Sequence, residues 1–149
     1  WNSYFGRANA RFLLKNLNGA IEDFTKVIQL KPDFYKAYDG RANMKSRLND
    51  LSGALEDIDE AIRLKPDHFV FYINRGELRF QLKDYNGAIN DFDSALKLNP
   101  QIGEVYYKRG MVKIISGKRE QGCQDLTRAQ QLGYADARRM IQKHCSSKQ

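Results

Sequence analysis

Histidine and cysteine each occur only twice in these 149 residues, proline three times and tryptophan once. These scarcities exclude several kinds of protein. His68 follows Pro66 in a turn and His144 lies near the C-terminus. Neither stands with a nucleophile and an acid in a constellation that general acid–base chemistry needs. The two cysteines, 22 residues apart, do not have the spacing of a zinc site. There is no glycine-rich phosphate loop, and the carboxylates recur along the chain instead of converging. The expectation is therefore a protein without catalysis and without cofactor or metal. Also missing is any apolar run near the roughly 20 residues that a membrane-spanning helix requires. No signal or transit pattern is visible, and the chain begins with Trp1, which suggests a segment of a longer protein.

What is present is a soluble composition, 42% hydrophobic and 29% charged, in a chain long enough to bury a core without staples. The net charge of +7 is uneven. Residues 1–100 carry 15 basic against 14 acidic side chains, and residues 101–149 carry 10 against 4. A basic C-terminal third suits either a solvated helix face or an acidic partner, nucleic acid or anionic surface.

The strongest signal is self-similarity at a period of 34 residues, with Pro32, Pro66 and Pro100 in one register. In step with them run Tyr4, Tyr38, Tyr72 and Tyr106, and the small residues Ala8, Ala42, Gly76 and Gly110. A second set contains Ala20, Ala54, Ala88 and Gly122, followed by Phe24, Ile58, Phe92 and Leu126. Apolar stripes such as Ala20, Ile21, Phe24, Val27 and Ile28 have helical spacing, so each unit reads as a pair of amphipathic helices. Asn16, Asp50 and Asp84 stand where they would cap the second helix of a pair. Asp33 and Asp67, after the prolines, are placed to cap the next first helix. Ala or Gly at the crossing point lets the two backbones approach closely. Arg7, Arg41, Arg75 and Arg109 on the first helices and Asp23, Asp57, Asp91 and Asp125 on the second are expected to be structural ion pairs across that seam.

This pattern of aromatic, small, Ala, aromatic, Ala and Pro positions resembles the tetratricopeptide repeat family. The resemblance implies an all-α fold, a right-handed superhelical α-solenoid of antiparallel helix pairs. Its repeats would be 1–34, 35–68, 69–102 and a divergent 103–134, the last with Ser116, Gly122 and Tyr134 at altered positions, followed by a capping helix and tail at 135–149. A terminal repeat lacks a neighbour to bury its outer face and is expected to be atypical. No matching cap precedes Tyr4, so further repeats or a domain are expected upstream, and the open N-terminal edge could support self-association.

In this family the first helices line a concave groove that holds a peptide or a partner helix. The corresponding candidates here are Phe5, Asn9 and Phe12; Asp39, Asn43 and Arg47; Ile73, Asn74, Glu77 and Phe80; and Tyr107, Lys108 and Met111. Asn can hydrogen-bond an extended backbone whatever its sequence, and the aromatics offer area to bury. Family members that clamp the acidic C-terminal tail of heat-shock chaperones use Lys and Asn, then Asn, then two basic residues. Asn43, Asn74 and Lys108 match, but Asp39 and Glu104 stand at the other two positions and would repel a carboxylate. A protein or peptide partner other than an acidic chaperone tail is expected, and nucleic acid is not favoured. The alternatives are an electrostatic docking module working through the basic C-terminal end, or a targeting domain of a larger enzyme. Cys123 and Cys145 read either as buried thiols or as a disulfide fastening the cap. The segment from Gly122 to Cys145 resembles the ends of bacterial tetratricopeptide proteins, some of them exported. The sequence leaves the location open between cytoplasmic and, if the bridge forms, exported and periplasmic.

Overall fold

A computed structural model describes residues 1–145, and all regular secondary structure among them is helical. The helices are α1 (Asn2–Leu13), α2 (Leu17–Leu30), α3 (Tyr35–Arg47), α4 (Leu51–Leu64), α5 (Phe69–Gln81), α6 (Tyr85–Leu98), α7 (Gly103–Ile115), α8 (Arg119–Gln131) and α9 (Asp136–His144). The fold is an all-α solenoid of antiparallel helix pairs. By its contacts the chain forms two compact units, Trp1–Phe71 and a second beginning at Tyr72. In the first, α1 pairs with α2 and α3 with α4, and α2 packs on α3; in the second, α6 packs on α7, α7 pairs with α8, and α8 carries α9.

Each turn between paired helices is built the same way. The residue after the first helix's cap adopts a left-handed conformation: Lys15 (φ 59°), Asn49 (φ 64°), Lys83 (φ 63°) and Gly117 (φ 86°). The next amide then reaches back to a carbonyl of the preceding helix, as in Asn16 N to Arg11 O at 2.8 Å and Asp84 N to Arg79 O at 2.8 Å. At the first three corners the same residue also caps the second helix, whereas Lys118 at the fourth makes no side-chain cap. Asn16, Asp50 and Asp84 accept from the amides of Gly19, Gly53 and Gly87 at 2.9, 3.0 and 2.9 Å. A two-helix corner thus closes in three residues. The expected cap from Asp33 does not form: α3 starts after Phe34 with no side-chain cap, because the chain enters that helix one residue later than the proline register suggests. Asp67 accepts from Lys65 Nζ at 3.0 Å.

The pairs are held by four buried aspartates, 2–6% exposed. Arg7, Arg41, Arg75 and Arg109 each hydrogen-bond through Nη2 to Asp23, Asp57, Asp91 and Asp125 at 2.6–2.7 Å. One turn further along the first helix a second cation reaches the same carboxylate: Arg11 at 3.0 Å, Lys45 at 2.9 Å, Arg79 at 2.8 Å and Lys113 at 2.8 Å. Each carboxylate therefore meets two positive charges, the full pairing that a buried anion requires. Spare donors link neighbouring pairs, since Arg41 Nη1 donates to Thr25 and Arg109 Nη1 to Asp93 at 2.6 Å. Beside this polar seam the crossing residues Ala8, Ala20, Ala42, Ala54 and Ala88 are 0–1% exposed. At Gly122 the backbones approach so closely that an added Cβ would lie 2.6 Å from the Gly110 carbonyl.

The ninth helix buries Ala137 against its neighbour, and Cys123 and Cys145 are joined with their Cα atoms 5.6 Å apart. The helix ends at His144, shorter than the 135–146 span read from the sequence, and residues 146–149 of the expected tail lie outside those described.

Two outcomes follow for stability. Lysine in a left-handed conformation costs about 1 kcal/mol relative to glycine, so Lys83→Gly is expected to raise the urea midpoint by that equivalent; a lowered midpoint would contradict the turn geometry. The Asp23 carboxyl is held below its ordinary range chiefly by its hydrogen bond from Arg7, with burial opposing and the Arg11 charge assisting. A carboxyl whose pKa is depressed by folding contributes stability that is complete above its unfolded pKa and is lost as pH falls through the folded value. Unfolding titrations below about pH 4 should therefore show a shallower loss of stability for Asp23→Asn than for the parent, with the variant already weaker at neutral pH. Parallel acid slopes would refute it.

Candidate functional site

The candidate groove residues fall into distinct clusters, each inside one unit. In the second unit a cleft of about 460 Å³ opens between α5 and α7. Glu77, Phe80 and Gln81 lie on one face of α5, and Tyr107, Lys108, Met111, Val112 and Ile115 on the facing side of α7, at spacings that put one residue per turn toward the opening. Phe92 from α6 closes the floor, fully buried beneath Gly76, where an added Cβ would meet its ring at 2.8 Å. The absence of a side chain at Gly76 is what lets the ring sit there. Five sequence candidates, Glu77, Phe80, Tyr107, Lys108 and Met111, meet in this cleft; Ile73 and Asn74, half-buried earlier on α5, lie outside its lining.

The charged residues of the cleft, Glu77 and Lys108, belong to a three-membered charge cluster completed by Glu104 beyond the lining. Lys108 Nζ contacts Glu104 at 2.6 Å, one turn away on α7, and also pairs with Glu77 across the cleft. Burial pulls the Lys108 ammonium toward neutrality, but the hydrogen bonds it donates to Glu104 and Glu77 outweigh it and raise its pKa. The lysine that sequence comparison places at a carboxylate-clamping position is thus already engaged by two carboxylates of its own chain.

In the first unit a smaller cleft of about 310 Å³ is lined by Phe5 and Asn9 from α1, Tyr35, Lys36, Asp39 and Gly40 from α3, and His68 and Phe71. Phe24 forms its floor and packs against Gly40, where a Cβ would come within 2.5 Å of the ring. His68 stacks on Phe71 with ring centroids 4.4 Å apart, and its buried Nδ1 has no hydrogen-bond partner among the described residues. The sequence placed His68 only in a turn; nothing in a linear pattern says that its ring folds back over Phe71. The remaining candidates of this unit form a separate group, in which Arg47 lies over the Phe12 ring at 4.9 Å and donates to Asn43 Oδ1 at 2.8 Å.

Among the described residues no group of three or more His, Cys, Asp or Glu is placed to hold a metal ion, and no helix is long and apolar enough to cross a membrane.

Comparison with known proteins agrees with this geometry. The tetratricopeptide repeat family model matches residues 1–34 and 70–102. No curated protein matches the sequence. Among solved structures, MamA from Desulfovibrio magneticus RS-1, residues 41 to the end, superposes with a TM-score of 0.82 at 16% identity, covering 87% of this chain and 73% of its own. YrrB, a tetratricopeptide protein with an unusual peptide-binding site, gives 0.79 at 20% identity over 90% of this chain and 70% of its own. The first tetratricopeptide domain of Spaghetti (RPAP3), bound to the HSP90 peptide SRMEEVD, gives 0.74 at 23% identity over 77% of this chain and 91% of its own. At these identities the likeness is one of fold. Together with the repeat period and the helix pairs, the comparisons show two segments matching the tetratricopeptide repeat model and a fold shared with tetratricopeptide structures.

Proposed function

We propose that the protein is a non-catalytic interaction scaffold that holds a peptide or partner helix against the first helices of its pairs, chiefly in the cleft between α5 and α7. The observation that carries this reading is the exposure of large apolar side chains beside a concavity. Phe80 and Ile115 are 37% and 50% exposed at its mouth, although Leu78 and Val112 on the same helices are buried. Apolar area left in water next to a concavity with polar groups at its edge is the usual form of a ligand site. Two solved structures of the same fold point the same way, one holding a peptide and one described by its peptide-binding site.

The acidic tail bound by one of those proteins is not the ligand we propose. Asp39 and Glu104 carry negative charge where a clamp needs lysine, and Lys108 is satisfied by Glu77 and Glu104. The joined cysteines favour an oxidising compartment, hence an exported protein.

Calorimetric titration with SRMEEVD is expected to give no heat of binding. Captured with its physiological partner, the protein should lose about tenfold in affinity on Phe80→Ala, the scale of about 1.4 kcal/mol for an anchor at the edge of a pocket. Tight SRMEEVD binding abolished by Lys108→Ala, or a partner indifferent to Phe80→Ala, would defeat the proposal.

A further inference from the structure

We infer, on the reading that the α5–α7 cleft is a binding site, that its occupant is a basic amphipathic segment: an apolar side chain that fills the cleft, with a lysine or arginine beside it.

Both halves of that chemistry are on the cleft wall. Its apolar part is formed by Phe80, Met111 and Ile115 over the buried Phe92 and Val112. Methionine and phenylalanine at an exposed edge adapt to linear or branched aliphatic side chains alike. The charged part does not balance. Glu77 and Glu104 share the single ammonium of Lys108, so the cluster keeps one net negative charge. The exposure is unequal as well: the glutamates are 42% and 51% exposed and the lysine only 27%. What solvent, and therefore a ligand, meets is carboxylate.

An arriving carboxylate would have to displace a glutamate from Lys108 and would still face the other. An arriving guanidinium or ammonium finds unfilled lone pairs on both glutamates and breaks nothing. The protein's overall charge of +7 does little against a basic ligand, because repulsion from exposed charges more than about 8 Å away is largely screened at physiological salt. The local cluster decides the contact.

The test is selection of short random displayed peptides against the whole chain, followed by titration of the selected sequence. Peptides combining an aliphatic or aromatic residue with nearby Lys or Arg are expected. Their affinity should fall about three- to tenfold in the double variant Glu77→Gln, Glu104→Gln, and should rise in Lys108→Gln, which frees both carboxylates. All these positions are partly exposed, and an unchanged thermal midpoint confirms that the variants fold. Selection of acidic or uncharged peptides that still require Phe80 keeps the cleft as a binding site but overturns the charge assignment. A dimer in sedimentation that Ile115→Lys dissolves also overturns it, since a second copy would then be the occupant. Peptides indifferent to Phe80→Ala and Ile115→Lys overturn the inference and the underlying binding reading together.

Discussion

The buried aspartate with two cations is the interaction on which the rest of this structure depends. A helix pair whose crossing residues are Ala and Gly buries little apolar area at its closest point, so its angle and register need another constraint. Asp23, Asp57, Asp91 and Asp125 supply it by fixing two points on the first helix, one turn apart, to one point on the second. Two contacts along an axis resist rotation and sliding where one would permit both. Removing one of the cations leaves a buried carboxylate only half compensated, an unfavourable state for a charge held out of solvent. The arrangement therefore specifies geometry more than it adds stability.

Because the seam is held on one side of each first helix, the opposite side is free to be solvent-facing. That division explains the clefts. Phe24 and Phe92 reach under the first helices at Gly40 and Gly76 and form floors, while Phe5, Phe80, Met111 and Ile115 project above them. The short turns contribute too. Three of the four corners place a non-glycine residue in a left-handed conformation, a local cost accepted because a three-residue corner leaves no other path between antiparallel helices.

Charge is used in two distinct ways in the same fold. At the seam, one acid meets two bases and is buried; in the α5–α7 cleft, one base meets two acids and stays partly exposed. The first cluster holds helices together. The second sets the sign of the surface presented to a ligand, and it removes Lys108 from the pool of cations that could grip an acidic tail.

Much of the fold was legible from period alone. The 34-residue register, the caps at Asn16, Asp50 and Asp84 and the Arg–Asp pairs are properties of residue type at fixed spacing, and a repeating backbone turns equal spacing into equal contacts. The second cation was legible but unread, since Arg11, Lys45, Arg79 and Lys113 stand in the same register. Other features were not linear properties at all. The capping role expected of Asp33 depended on where α3 begins, which backbone packing decides. The fold-back of His68 onto Phe71, the engagement of Lys108 by Glu77 from 31 residues away, and the sorting of the groove candidates into separate clusters arise only when helices distant in sequence are brought side by side. The sequence by itself determined which residues are helical, which faces are apolar and which helices pair, because those follow from local periodicity. Tertiary structure decided which side chains remain available to a partner, because availability depends on what each group has already found to bond.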